Sequence, residues 1–306
     1  MPLPGFEAIL READARGGAR SVVAAGGADP TVIEALRSAV ARGWARATLV
    51  GPEAETRAIA SERGITVDGF AFIDVESEAI PAAAVEAIRS GRGEVLIKGR
   101  VSTPDLMAAI SDPAGGIRAG RVVAQVVLME ILPRGRCFLL TDTGIVVAPK
   151  LPTKVEILRD AVAVARALGL DRPNVAIMAA TEAINPAMPE TLHAAELQRR
   201  NEEGEFPDCI VRGPLAFDLA YDADAGAKKR VGGPVVGAAD VMIFPGLAAA
   251  NLTVKAIMYT ADCRFGGVLT GTVAPVAFMS RSDSTATRLR SLALALALPT
   301  RSPEPA

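Results

Sequence analysis

One histidine, His193, stands in 306 residues, beside three cysteines, Cys137, Cys209 and Cys263. A zinc cluster needs several such side chains converging, and a Ser-His-Asp triad needs an imidazole beside its serine. His193 falls in the helical stretch 190–200, where a lone histidine is more often structural than catalytic. The cysteines show no Cys-x-x-Cys spacing and no neighbouring histidine, which weakens the case for a cysteine nucleophile. Each sits in an apolar, strand-like run, the setting of a buried reduced thiol in a cytoplasmic protein.

Other absences prune further. There is no Gly-x-x-x-x-Gly-Lys-Ser/Thr loop, and no Gly-x-Gly-x-x-Gly follows an early strand. Ala25-Gly26-Gly27-Ala28-Asp29 is only a glycine-rich turn. A P-loop nucleotidase and a Rossmann cofactor are therefore disfavoured. With 33 basic and 35 acidic side chains the net charge is -2, which gives no reason to expect a nucleic-acid partner. The one basic run, Lys228-Lys229-Arg230, is flanked by Asp222 and Asp224 and reads as a solvated helix end. No apolar run approaches the roughly 18 residues that would cross a bilayer. The first residues lack the basic start and apolar core of a signal peptide, so no membrane association is expected and a cytoplasmic location is. Chemistry must then run on arginine, lysine, hydroxyl, carboxylate and amide groups. That inventory suits orientation and charge stabilisation better than covalent or metal catalysis.

What is present is an alternation of apolar, β-branched runs with helical patterns. Strands are expected at 21–25, 47–51, 70–75, 94–98, 122–130, 137–141, 175–179, 209–212, 240–244 and 267–279. Helical sequence between most of them implies crossover connections and a mainly parallel α/β sheet. Only six residues separate 122–130 from 137–141, so an antiparallel hairpin is expected there. Asp29-Pro30 and Thr103-Pro104 each place a capping residue before a first-turn proline, and Thr153 with Glu156 reads as a capping box. The alternation of leucine and alanine over 292–298 fits a strand by period. Alanine's helix preference and a capped start favour a helix buried on most sides.

In an open α/β sheet ligands gather at the carboxyl ends of strands. The loops there carry Lys98 with Gly99-Arg100-Val101-Ser102-Thr103, then Asp142-Thr143-Gly144, then Thr181-Glu182 with Asn185. After them come Pro245-Gly246 with Asn251 and Lys255 just beyond, and last Ser280-Arg281-Ser282-Asp283. Hydroxyls and a guanidinium at a helix start favour an anion, because the first backbone N–H groups are unpaired and the dipole is positive there. Arginine's planar fork suits a phosphate. A phosphorylated small molecule is the first ligand class to consider.

The chain resembles the phosphate acetyl/butyryltransferase family, its butyryl branch more than its acetyl branch. The carrying stretches are Ile97-Lys98-Gly99 with Ser102-Thr103, Leu140-Thr141-Asp142 with Ala148-Pro149, and Glu182-Ala183-Ile184-Asn185-Pro186. Then come Cys209 to Asp218, Asp240-Val241, Asn251, Lys255 and Ser280-Arg281-Ser282-Asp283-Ser284. The resemblance implies a two-domain α/β/α fold of the isocitrate/isopropylmalate dehydrogenase type, with mainly parallel sheets and a site in the interdomain cleft. The first domain is expected at 1–148 plus 268–306 and the second at 149–267. It implies a reversible exchange of acyl-CoA and phosphate with acyl phosphate and coenzyme A, usually in a homodimer. No permanently bound cofactor and no metal are expected; coenzyme A is substrate or product.

On this reading Arg281, Lys98 and Arg100 hold phosphate, while Ser280, Ser102 and Thr103 donate hydrogen bonds to its oxygens or to the oxyanion. Glu182, Asn185, Asn251 and Lys255 are further substrate-binding residues. Relatives often have Ser-His where this chain has Ala124-Gln125, and the acetyl branch has an acid where Thr287 stands. The general base then falls to Asp283 or Asp142. Two other readings remain open: a dehydrogenase of a hydroxy acid using NAD and a metal, for which Asp218, Asp222 and Asp224 are the one dense carboxylate group, and a member that binds coenzyme A without turnover.

Overall fold

The structure is a computed structural model, and it describes residues 2–119, 122–278, 280 and 283–300. The chain divides into two compact units. The first comprises residues 6–123 and 265–306, the second residues 1–5 and 124–264. The hairpin around 131–136, allotted to the first domain in the sequence reading, falls in the second unit.

The first unit runs α1 (Phe6–Ala15), β1 (Arg20–Ala25), α2 (Pro30–Ala41), β2 (Ala45–Val50), α3 (Glu53–Glu62), β3 (Ala71–Ile73), α4 (Ile80–Arg89), β4 (Val95–Lys98) and α5 (Thr103–Ser111). The second supplies β5 (Ala124–Ile131), β6 (Arg136–Thr141), α6 (Leu151–Ala167), β7 (Asn174–Met178), α7 (Pro189–Glu202), β8 (Ile210–Leu215), α8 (Phe217–Tyr221), α9 (Ala223–Lys229), β9 (Val241–Ile243) and α10 (Leu247–Thr260). The chain then returns through β10 (Cys263–Thr270), β11 (Val276–Ala277) and α11 (Thr285–Ala297), which complete the first unit.

In the first unit the strand order is β3-β2-β1-β4-β11-β10, parallel except for the β10–β11 pair. Val22 to Ala25 and Val95 to Ile97 are buried, as strands covered by helices on both faces require. In the second unit the order is β5-β6-β9-β7-β8, with β6, β9, β7 and β8 parallel. The expected hairpin is present: β5 and β6 are antiparallel, Leu128 opposite Leu139. The parallel α/β reading holds.

Three local expectations are corrected. The cap of α5 is Ser102, whose Oγ accepts from Asp105 N, and Thr103 is already helical. α6 begins at Leu151, so Thr153 lies inside it and no capping box forms; Pro152, with its preset φ, carries the helix start upstream. The run 267–279 is two strands, because Gly271 turns back at φ 75° with no room for a Cβ against Val122 O. The last helix is a helix, with Leu292 to Leu296 all buried.

One polar cluster ties the first unit together. Arg288 on α11 is 1% exposed. Its Nη2 donates to Asp29 Oδ2 at 3.0 Å, its Nε to Thr31 Oγ1 at 2.7 Å and its Nη1 to the Lys98 carbonyl at 2.9 Å. Asp29 meanwhile caps α2, Oδ1 accepting from Thr31 N and Val32 N. The C-terminal helix, the start of α2 and the end of β4 are thus joined by one guanidinium.

Breaking a buried pair on one side strands the other charge, at about 3–5 kcal/mol. Arg288→Met should lower stability by about that amount in urea unfolding. The double variant D29N/R288M should lose less than R288M alone, because asparagine still caps α2 and carries no charge. Equal losses would refute the charge-pair account.

A second buried cation lies in the second unit. Lys154 on α6 is 2% exposed, its Nζ 3.3 Å from His193 Nδ1 on α7. Burial and then Lys154 push the His193 pKa down, opposed by Glu190. The fold therefore favours neutral imidazole, and that stabilisation is lost as pH falls through the ordinary histidine value of about 6.5. Between about pH 7.5 and 5, H193Q should flatten the fall in urea midpoint seen in the unsubstituted chain.

Candidate active site

The expected site residues fall into two groups, one in each unit. In the first unit β11 runs parallel beside β4, with Ala277 opposite Ile97. β4 ends at Lys98 and β11 at Ala277, so the two neighbouring strands have their carboxyl ends side by side. Lys98 is 4% exposed, not snorkelling at a strand end, and its Nζ stands 6.0 Å from the Phe278 ring centroid. At that distance the ring face still attracts an ammonium. The loop after Lys98 is held close: Gly99 N donates to Ala25 O and Arg100 N to Gly26 O, both at 2.9 Å. A Cβ on Gly99 would stand 2.1 Å from Gly26 O, so only glycine permits this approach.

The neighbours of Lys98 are already engaged. Arg100 forms an exposed ion pair with Glu55 of α3. The Ser102 hydroxyl donates to Asp105 Oδ2 while accepting from Asp105 N. Thr103 is half-buried at the first turn of α5. Ser280 N donates to Asp283 Oδ2 at 2.7 Å, and Asp283 N to Ser280 O at 3.2 Å, closing a turn. Arg281, between them, lies outside the described residues. Ser284 caps α11 through Thr287 N, so Thr287 is a buried first-turn residue whose Oγ1 accepts from Arg290.

In the second unit the loop after β6 is organised by Asp142, which is 3% exposed. Its Oδ1 accepts from Gln125 N (3.1 Å), Gly144 N (2.9 Å) and Ile145 N (3.2 Å), and its Oδ2 from Val146 N (2.6 Å). Burial pushes its carboxyl above the ordinary range, and the four N–H donors pull the other way. Thr143 Oγ1 donates to Gln125 Oε1 (3.1 Å), and Asn251 Nδ2 on α10 donates to Thr143 O (3.1 Å). Lys255 stands exposed one turn further along α10. Beside Asp142, Thr141 Oγ1 is the one buried side-chain polar atom without a hydrogen-bond partner among the described residues.

Glu182 and Asn185 are both exposed, on the loop after β7. Asn185 Oδ1 accepts from Ala187 N, and the buried Thr191 hydroxyl binds the Asn185 backbone, so this asparagine shapes a turn. Two of the three carboxylates weighed for a metal are otherwise occupied: Asp218 pairs with Lys229 at 2.8 Å and Asp222 caps α9. The thiols differ from expectation, since Cys209 alone is buried and Cys137 and Cys263 are half-buried. Burial pushes Cys137 up to about 12 and Cys209 to about 11, so neither is a ready thiolate.

Arg288 was not named from the sequence, and Gln125 and Thr143 were named there without a role of their own. Arg288 left one signal, a guanidinium four residues before Leu292 on the stripe of α11 that packs inward. Gln125 left none.

Residues 78–296 match the family described as "Phosphate acetyl/butaryl transferase". A phosphate butyryltransferase of Clostridium acetobutylicum is 37% identical over 240 residues, 78% of this chain and 79% of that one. The crystal structure of a branched-chain phosphotransacylase from Enterococcus faecalis V583 superposes with a TM-score of 0.80 at 29% identity, covering 91% of this chain and 98% of the other. A 4-hydroxythreonine-4-phosphate dehydrogenase from Klebsiella pneumoniae shares the fold alone, at TM-score 0.53 and 12% identity over 92% of this chain and 98% of that one.

Asparagine at position 142 would turn an NH2 toward at least one of the N–H donors and leave it unpaired, at about 1–3 kcal/mol. Asp142→Asn should therefore lower thermal stability and raise amide exchange over 143–146. Unchanged exchange there would show that the loop holds itself without the carboxylate.

Proposed function

This chain belongs to the phosphate acetyl/butyryl transferase family, and from that premise we propose that it is a phosphate acyltransferase. It exchanges acyl-CoA and phosphate for acyl phosphate and coenzyme A by direct transfer. The observation that supports the reading is the parallel β4–β11 pair, which brings the end of β4, with buried Lys98, beside the end of β11, three residues before Ser280.

A phosphate oxygen attacks the thioester carbonyl carbon, a C–O bond forms, and collapse of the tetrahedral species breaks the C–S bond. Lys98, Arg100 and Arg281 hold phosphate; Ser280, Ser102 and Thr103 donate to its oxygens or to the oxyanion. Positioning of this kind can supply about 7–11 kcal/mol of barrier reduction without a nucleophilic side chain. Glu182, Asn185, Asn251 and Lys255 serve acyl-CoA. In the reverse direction the thiol must lose a proton. Asp283 and Asp142 are the two candidates for that task, and Asp142 already accepts four backbone N–H bonds. Coenzyme A enters as substrate and no bound cofactor takes part, and the protein works in the cytoplasm.

The test is phosphate-dependent thiol release from butyryl-CoA and acetyl-CoA. Release should saturate with phosphate, and the ratio of the two specificity constants sets the acyl preference. A hydrogen bond to a charged group contributes about 1.5–3 kcal/mol, so Lys98→Gln should raise KM for phosphate roughly 10- to 100-fold. Normal phosphate saturation in that variant would remove Lys98 from the site.

The working form is proposed to be a homodimer. Leu252 (70% exposed) and Tyr259 (81% exposed) stand seven residues apart on α10, with Ala248, Ala249 and Ala256 exposed between and beside them. Such a mostly apolar helix face, interrupted by exposed Lys255, supports pairing with a second copy. Sedimentation should show a dimer that Leu252→Asp converts to monomer; a monomeric unsubstituted chain would exclude the dimer.

A further inference from the structure

The first unit holds a cavity of about 380 Å³ at the amino ends of β4 and β11. Its wall includes Glu94 just before β4, Val273 and Ala274 shortly before β11, Ile88 of α4 and Ile117 after α5. Glu94 and Lys98, at the far end of β4, are four residues apart, roughly 13 Å of strand. The cavity is therefore remote from the phosphate-holding residues proposed above. It also lies at the other end of the sheet from the loops where ligands of this sheet class gather. Its volume falls within the range of small-molecule sites, about 300–1,000 Å³.

Ile88, Ile117 and Ala274 are buried side chains, so the floor of the cavity is hydrocarbon. Arg89, Glu94 and Arg118 bring charge to its wall. Arg89 is held by Glu86, its Nε donating to Oε2 at 2.8 Å. Glu94 accepts from Ser21 N at 2.8 Å and pairs with Arg20 at 3.5 Å. Arg118 is different: it is exposed, and among the described residues its guanidinium has no hydrogen bond, ion pair or ring contact. Its backbone is nonetheless fixed, because Val273 N donates to Ile117 O at 2.8 Å and Ala119 N to Gly271 O at 2.9 Å. The one charge left uncompensated at the cavity is thus positive, and it is carried on an ordered stretch beside carbon walls.

We propose that this cavity binds a small carboxylate with an apolar body, its hydrocarbon against Ile88, Ile117 and Val273 and its carboxylate on Arg118. The class follows from the walls. A guanidinium fork can donate two parallel bonds to the two oxygens of a carboxylate, and the floor takes the rest of the molecule. A bare phosphate fits poorly, since one guanidinium over hydrocarbon leaves most of its oxygens without donors. The site stands apart from the acyltransferase reading and is tested without turnover.

Hexanoate is the probe. Titrated into the isotope-labelled chain, it should shift the amide resonances of 88–94, 116–118 and 273–274 along one saturable curve. Arg118→Gln, a change at an exposed side chain that leaves the fold intact, should weaken binding about tenfold. Val273→Phe, which fills the cavity, should abolish the shifts. Hexylammonium, with the same tail and the opposite charge, should cause none there. Saturating phosphate should leave the hexanoate affinity unchanged, as should Lys98→Gln. Shifts that fall elsewhere or nowhere overturn the proposal, and so does full affinity in R118Q. Competition by phosphate overturns it too, because hexanoate would then occupy the Lys98 site.

Discussion

A single guanidinium sets the geometry on which the first unit depends. Arg288 reaches from the C-terminal helix to Asp29, Thr31 and the carbonyl of Lys98. Desolvating such a pair is costly, and a well-packed apolar trio would often be as stable. What the pair adds is direction: a guanidinium has donors in fixed orientations and accepts only one arrangement of α2, β4 and α11. The backbone of Lys98, whose buried amine we propose holds phosphate, is thereby fixed by a bond that the amine itself does not make.

The two units solve loop placement differently. The first relies on backbone proximity, Gly26 against Gly99, where the absence of side chains lets two loops hydrogen-bond directly. The second relies on one carboxylate that gathers four amides, with Gln125 and Asn251 bracing the same turn. Both leave short, ordered loops at the carboxyl ends of parallel strands, the location that this sheet class reserves for ligands.

Much of the fold was legible. The strands at 21–25 and 94–98 announce themselves as apolar runs without alternation, as a sheet covered on both faces demands. The hairpin at 131–136 followed from its short connection. Local misreadings came where two rules compete. Pro152 outweighed Thr153 in starting α6, and Ser102 took the cap assigned to Thr103 because its own side chain could reach Asp105 N. At the site, Lys98 and Ser280 stood out as polar residues after apolar strands. The partnership of Arg288 with Asp29 did not, since 259 residues separate them and nothing local predicts that they meet. Asp142 could be recognised as a loop carboxylate, while the convergence of four amides on it exists only once the turn is folded.

The aromatic residues are divided between the units in a way that makes them separately observable. The one tryptophan, Trp44, is buried in the first unit, its Nε1 donating to Asp14 at 2.9 Å with Arg42 over its ring. Both tyrosines, Tyr221 and Tyr259, belong to the second. Indole fluorescence therefore reports on one unit and phenol absorbance on the other, with no label and no engineered probe. Coincident transitions by the two signals would mean that the units melt as a single cooperative body, and separated ones that each carries its own thermodynamic identity.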